Sequence, residues 1–245
     1  MRGEVVSELQ DRPPLELLRR VGHLASLPPG SLEQLASGAR IRGFRRDDVL
    51  LHPGLPAESV IAIGRGFART GAVTPDGRRI GSGMVGPGAM IGVLGVLDPT
   101  PTGEEVRGLG DGLAVEVSTR VFRDECERSP PVALAVGRLA AEEARRARDG
   151  LVESITVDVP TRVARHLVDV AAAMGVRVDP KGAVVLPLLH RELADLAGTA
   201  RETVTKALST FAAAGWVVTS SRRIVVLDER SLSHFARLDD PDGPK

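Results

Sequence analysis

Between His190 and Phe211 the run HRELADLAGTARETVTKALSTF places apolar residues at helical spacing on both sides of one glycine, so the chain has to bury two short helices that meet at a turn. Leu193, Ala194, Leu196 and Ala197 form the apolar face of the first helix; Val204, Ala207, Leu208 and Phe211 form that of the second. Burying those stripes leaves Arg201, Glu202, Thr205 and Lys206 on the outer face of the second helix. An arginine can donate two hydrogen bonds to guanine O6 and N7 in a major groove, a glutamate can accept from cytosine N4, and a lysine one turn on can meet a base or a phosphate. Taken alone, the pattern also fits an ordinary amphipathic pair on a bundle surface. The residues that follow favour nucleic acid. Trp216 to Val218 reads as a strand, Ser220 to Arg223 as a polar tip and Ile224 to Leu227 as a returning strand, which together make a winged helix-turn-helix. Arg222 and Arg223 at the tip are candidates for phosphate contact, although adjacent arginines on a turn are more often solvated.

The chain's 245 residues allow one large or two modest domains, and the patterning favours two. Its 32 basic residues are matched by 32 acidic ones, so affinity for nucleic acid has to come from a local cluster and not from the global field. Aromatic residues make up only 2 % with no tyrosine, which argues against single-strand binding by base stacking. A single cysteine, Cys126, excludes an internal disulfide and a cysteine-ligated iron–sulfur cluster. No stretch reaches the roughly 20 apolar residues of a membrane span, and MRGEVVSELQDRPP lacks the apolar core of a signal peptide. A cytoplasmic location is expected.

Along the chain, residues 1–22 read as a flexible leader and Ser31 to Ala39 as a short helix capped at Ser31. From Ile41 to Val117 short apolar runs (Val49 to Leu51, Val60 to Ile63, Phe67 to Val73, Ile80 to Val85, Leu113 to Val117) are cut by glycine and proline. Thr74-Pro75-Asp76-Gly77 reads as a hairpin turn between two of them. The expected fold is α+β: a β-roll or jelly-roll barrel domain over 23–130, a long helix over 131–155, and a winged helix-turn-helix domain over 156–235, with an acidic disordered tail over 236–245. Val132, Val136, Leu139, Ala140, Ala147 and Leu151 give the long helix a seam, expected to pack both on its own barrel and on the same helix of a second subunit. Thr156 to Pro160 reads as a hinge.

This order, barrel, long helix and winged helix, resembles the CRP/FNR family of bacterial transcription regulators over roughly residues 24 to 230. His52-Pro53-Gly54, Ile61-Ala62-Ile63 and Gly66 are similar to the family's early barrel strands, Asp76-Gly77-Arg78-Arg79 to its hairpin, and Gly88-Ala89-Met90-Ile91-Gly92 to the turn entering its ligand pocket. Arg201-Glu202-Thr203-Val204 matches the start of its recognition helix residue for residue. The resemblance implies a homodimer on palindromic double-stranded DNA, with RNA polymerase as a further partner. Arg201, Glu202 and Lys206 would contact bases; Thr199, Thr203, Thr205, His190, Arg222 and Arg223 would contact the DNA backbone. One departure is Ala200, where the family usually has a capping Ser or Thr; Thr199 is the alternative cap.

The implied effector pocket comprises Gly92, Val93, Leu94, Thr102, Gly103 and Arg148. It departs further from the family pattern. Val93 stands where members that bind cyclic AMP have the ribose-holding glutamate, and Pro101-Thr102-Gly103-Glu104-Glu105 stands where they have the phosphate-holding arginine and serine. Ala147 and Arg148 stand near the adenine-contacting pair. Two carboxylates in place of an arginine would repel a cyclic phosphate, so cyclic AMP is not expected as the effector and no cofactor is assigned. Arg78, Arg79, Arg107 and Arg148 are candidates for a differently shaped anion pocket, His23 or His52 for a haem ligand, and Cys126 for a redox switch, each weighed against a plain structural role. Three rivals remain: a cyclic-AMP-responsive regulator with a divergent pocket, a regulatory module acting through protein contacts, and a dinucleotide-binding enzyme. The last rests on Gly81-Ser82-Gly83-Met84-Val85-Gly86, which satisfies GxGxxG but runs into Pro87 and not into a helix. No catalytic constellation is assigned, and an enzyme is not expected.

Overall fold

A computed structural model describes residues 13–73, 79–101, 103–178, 182–220 and 223–237. They belong to two compact units, one within Met1–Val73 and Met84–Ala147, the other within Thr74–Gly83 and Arg148–Lys245.

The first unit opens with three short helices, α1 (Pro14–Leu18), α2 (Gly22–Ala25) and α3 (Pro29–Ser37). Eight strands follow: β1 (Ala39–Phe44), β2 (Val49–Leu51), β3 (Ser59–Arg65), β4 (Ala68–Val73), β5 (Arg79–Val85), β6 (Met90–Ile91), β7 (Glu104–Gly108) and β8 (Gly112–Ser118), with α4 (Leu94–Leu97) between β6 and β7. Helix α5 (Thr119–Arg128) then leads into the long helix α6 (Pro130–Thr156). The strands form two four-stranded sheets in the orders β1-β8-β3-β6 and β2-β7-β4-β5, the expected roll.

The apolar run Val60-Ile61-Ala62-Ile63 has a physical reason. Side chains alternate across a strand: Ile61 and Ile63 enter one cluster with Phe44, Leu51, Ala68, Val85, Val106 and Ala114. Val60 and Ala62 enter another with Leu113, Val115 and Val117. The sheet carrying β3 and β8 is therefore buried on both faces, and a strand so placed reads as continuous apolar sequence. The second cluster is closed by α1 to α3, by Phe122 on α5, and by Val132, Ala135, Val136 and Leu139 on α6. Leu17 and Leu18 lie in it, fully buried or nearly so. Residues 13–22 are thus packed helix and not a flexible leader; the two prolines that suggested an interruption stand at the start of α1, where a missing N–H costs nothing. Residues 1–12 lie outside the described set, as does the tail from 238. Ala236 and Arg237, assigned to that tail from sequence, belong instead to a final helix.

Three strands escaped the sequence reading. β1, Ala-Arg-Ile-Arg-Gly-Phe, and β7, Glu-Glu-Val-Arg-Gly, carry charges where apolar runs were sought, and β6 has only two residues. In β7 the buried Glu105 accepts from Arg107 Nη2 at 2.7 Å, and Arg107 Nη1 donates to the Asp47 carbonyl at 3.0 Å. Arg69, opposite Arg107 on β4, is also buried and reaches Asp47 Oδ1 at 3.2 Å from both terminal nitrogens. Charge is admitted here because it is paired. Gly66 has φ +80°, and a Cβ there would lie 2.7 Å from the Gly112 Cα, so glycine is required at that turn.

The second unit contains α7 (Val159–Met174), β9 (Val176–Arg177), β10 (Val184–Leu186), α8 (His190–Leu196), α9 (Arg201–Ala213), β11 (Val217–Ser220), β12 (Arg223–Val226) and α10 (Glu229–Arg237). Its sheet runs β11-β12-β10-β9. Leu167, Leu186, Leu188, Leu193, Leu208 and Phe211 are fully buried. Phe211 stacks on Trp216 at 5.7 Å and meets Phe235 edge-on at 5.4 Å. Replacing Phe211 with Ala removes one ring of this mutually packed trio, and we expect a loss of about 3–5 kcal/mol. Urea unfolding followed by the fluorescence of Trp216, the chain's one tryptophan, measures it.

Candidate nucleic-acid interface

Helix α8 begins where the Glu192 side chain, itself fully buried, accepts the Leu189 backbone N–H at 2.7 Å, which turns the chain sharply into the helix. It stops at Ala197, and Gly198 supplies the turn with φ +59°. Thr199 N–H bonds back to the Ala194 carbonyl at 3.0 Å. Helix α9 then starts at Arg201 with Ala200 as its N-cap, and no side chain caps it. Thr199 lies a residue too early and is not the substitute cap. The ends of both helices are thereby fixed by backbone bonds and one buried carboxylate.

On α9, Val204, Ala207, Leu208 and Phe211 point into the core, while Arg201, Glu202, Thr205 and Lys206 are exposed. Thr203 is half-buried beside them. The Thr205 hydroxyl donates to the Arg201 carbonyl at 2.9 Å, so its lone pairs face outward. His190 is half-buried; burial first, and the nearby Arg201 charge second, lower its pKa, which leaves a neutral imidazole at pH 7. Arg223 is exposed at the start of β12, opposite Ser220. Arg222 lies outside the described residues.

The connection read as a hinge over Thr156 to Pro160 is short and bonded on both sides. Helix α6 runs to Thr156 and α7 starts at Val159, so only Val157 and Asp158 intervene. Val157 is buried, and Asp158 Oδ1 accepts the Thr161 N–H at 2.8 Å as an N-cap. The buried Arg162 guanidinium donates to the carbonyls of Ser154 at 3.2 Å, Val157 at 2.7 Å and Ala197 at 3.1 Å. These acceptors belong to the C-terminal ends of α6 and α8, whose last carbonyls have no partner within their helices. A single cation caps both helices and complements both dipoles. Arg165 adds a bond to Glu153 at 3.0 Å and one to the Ala236 carbonyl at 2.8 Å. Neither arginine was singled out from sequence, where their only mark is position on the buried side of α7.

The residues assigned to an effector pocket differ in burial and in partners. Val93 is 1 % exposed and packs in the core with Val96 and Met90. Gly92 has φ +76° and abuts the Ser59 carbonyl; Leu94 is half-buried, Gly103 is exposed and Thr102 lies outside the described residues. Arg148 is exposed and donates to Asp149 at 3.1 Å. The charged side chains that α6 brings against the roll are Glu143 and Arg146, which interact electrostatically with Glu104 on β7. Two more candidates take structural roles: His23 Nε2 meets Glu142 at 2.6 Å, and His52 is exposed in the turn after β2. Cys126 is packed against the core, and burial pushes its thiol pKa up, with Glu125 adding to the shift, so the nucleophilic thiolate is disfavoured. Among the described residues no group of His, Cys, Asp and Glu could hold a metal. The GxGxxG run lies on strand β5 and opens no helix, which removes the basis of the dinucleotide reading.

Residues 161–235 match the model of the Crp-like helix-turn-helix domain, and residues 41–129 that of the cyclic nucleotide-binding domain. The chain belongs to the CRP/FNR family. A CRP-like cAMP-activated global transcriptional regulator of Mycobacterium tuberculosis is 29 % identical over 222 residues, covering 91 % of this chain and 99 % of the relative. A solved CRP/FNR-family regulator from Eubacterium rectale is 17 % identical with a TM-score of 0.75, over 89 % of this chain and 99 % of its own. The c-di-GMP-responsive regulator CLP of Xanthomonas campestris is 20 % identical with a TM-score of 0.69, over 81 % and 99 %. These likenesses identify a transcription regulator with a DNA-binding domain of the helix-turn-helix type. No described helix is long and apolar enough to cross a membrane.

Arg162→Met keeps the buried stem but strips three carbonyls of their donor, and we expect it to cost about 2–4 kcal/mol, with Arg162→Lys recovering part of the loss. Urea unfolding of the three proteins in parallel gives the comparison.

Proposed function

We propose that this CRP/FNR-family regulator binds palindromic double-stranded DNA as a homodimer, with α9 in the major groove and α6 paired to its counterpart. The observation that carries the reading is the outer face of α9, where Arg201, Glu202, Thr205 and Lys206 are exposed together over a fully buried inner face. Arg201 suits a guanine and Glu202 a cytosine, in keeping with the bidentate and acceptor geometry of those side chains. Thr199, Thr203, Thr205, His190, Arg222 and Arg223 are the phosphate-side candidates. The uncapped N–H groups at the start of α9 suit a phosphate as well.

Pairing is supported by a second stripe on α6. Leu134, Gly137, Ala141, Ala144, Arg148, Leu151 and Ile155 are all exposed and recur at alternating spacings of three and four, the period of a coiled-coil seam. Val132, Val136 and Leu139 belong to the core-facing side instead. The expected seam is thus two stripes, and the small residues at its middle allow close approach. Two α9 helices about 34 Å apart would then meet successive major grooves. RNA polymerase is the further partner this reading implies.

Cyclic AMP is a weaker candidate for the effector. The name of the M. tuberculosis relative favours it. Against it stands the buried Val93, which offers an apolar side chain packed in the core where a ribose would need a polar partner. Titration calorimetry with cyclic AMP and with c-di-GMP distinguishes these ligands, and we expect no saturable heat with cyclic AMP.

Selection of binding sites from random DNA, followed by gel shifts, tests the main reading; a selection that yields no sequence bound better than bulk DNA at physiological salt defeats it. Arg201→Ala should cost about 1–3 kcal/mol and relax preference at one base pair, whereas Arg223→Ala should weaken all sequences alike and reduce the salt dependence. Leu151→Lys with Ile155→Lys should convert the dimer to monomer in light scattering without loss of helix content.

A further inference from the structure

We propose that Glu104 on β7 and Glu143 on α6 form a proton-sharing latch that fastens the long helix to the roll when a proton is bound and loosens it when the proton leaves. The two carboxyl groups are within hydrogen-bonding contact across the two elements, and Oε2 of Glu143 is buried and meets no donor among the described residues. Two carboxylates cannot hold that arrangement without a proton, because both oxygens facing each other would be acceptors. The environment decides where the proton sits. Burial raises the Glu104 pKa to about 7, with the Glu143 charge adding to the rise and Arg146 opposing it. Burial also raises Glu143, but Arg146 and the bond from Glu104 both favour its ionised form. The neutral Glu104 therefore donates to an ionised Glu143, whose charge Arg146 offsets from one turn along α6.

Among the described residues, few groups face the pair. From α6 they are Arg146 and Glu143 itself; β4 places Ala72 opposite Glu104 and Gly71 opposite Glu105, neither of them titratable. Glu105, the next residue of β7, is engaged by Arg107. A separate contact ties the same turn of α6 to α2: the His23 imidazole bonds to Glu142, which lowers the Glu142 pKa, that hydrogen bond being the largest cause. That contact also holds the middle of α6, so the test has to separate the two.

The sign follows from linkage. In the open state a solvated Glu104 titrates at its ordinary value of 4.5, and in the closed state at about 7. The closed state thus binds the proton more tightly, is most favoured below 4.5, and loses up to about tenfold in its equilibrium per pH unit as pH rises through that window. Above about 7 the loss is complete and the equilibrium levels off. This inference goes beyond the proposed function and does not require that α9 reads DNA.

The experiment is amide hydrogen exchange of the full chain between pH 5 and 8.5, corrected for the intrinsic rate, read over residues 139–146. Protection should fall on the order of tenfold per unit towards pH 7 and then flatten. Glu104→Gln supplies an amide donor to Glu143 at every pH, so its protection should stay high and flat. His23→Gln, which alters only the other contact, should keep most of the wild-type slope. A protonated-carboxyl infrared band titrating near pH 7 and missing from Glu104→Gln is the second readout, useful if exchange in a variant is perturbed throughout. A flat wild-type profile, a Glu104→Gln protein with the wild-type slope, a slope abolished by His23→Gln, or a missing infrared band would each overturn the latch.

Discussion

The Arg162 guanidinium holds three carbonyls from two helix ends, and the packing of α7 against those ends depends on it. A helix that ends in a buried place leaves carbonyls that water cannot reach, and each unmet one costs about 1–3 kcal/mol. Here α6 and α8 both end against α7, and one planar cation satisfies both. The Ala197 carbonyl lies at the turn that aims α9, so the end of the long helix and the recognition turn share a fixed point. The last residues of α6 belong to the same compact unit as α9.

The long helix serves several surfaces because its faces differ. Its first turns close the apolar cluster with Val132, Ala135, Val136 and Leu139. Its outward stripe of Leu134, Gly137, Ala141, Ala144, Leu151 and Ile155 is exposed among the described residues and is the face proposed to pair with a second copy. Between these faces, Glu142, Glu143 and Arg146 meet ionisable partners on α2 and β7. Packing fixes the helix at one end and titratable contacts hold its middle, which makes the middle the part that solution conditions can address. That division has a cost: a carboxyl pair in a poorly solvated place is tolerated only with a shared proton and a nearby cation.

Much of the fold was legible from residues, and the gaps have common causes. Strands β2, β3, β4, β5 and β8 carry apolar runs and were read; β1 and β7 are rich in charge and were not, since Glu105 and Arg107 look like loop residues until their pairing is known. The leader was misread because Pro13 and Pro14 suggest a break, although a proline at the start of a helix is harmless and Leu17 and Leu18 needed burial. In the candidate interface, the exposed set Arg201, Glu202, Thr205 and Lys206 followed from periodicity alone. Arg162, Arg165, Glu143 and Arg146 did not, because a polar side chain's partner is set by distant elements and no local pattern names it.

The sequence by itself determined the local and periodic features: two helices broken at Gly198, the strand runs of the roll, the order of domains, and which face of α9 is outward. It could do so because helical and strand periods write burial directly into residue order. Only the tertiary structure decided that Val93 faces the core, that Arg148 is exposed beside Asp149, that the supposed hinge is capped and bonded, and that Glu104 meets Glu143. Apart from the local Arg148–Asp149 and Asp158–Thr161 bonds, those outcomes depend on which elements lie against each other and on how buried charge is compensated, and both are fixed by contacts between residues tens of positions apart.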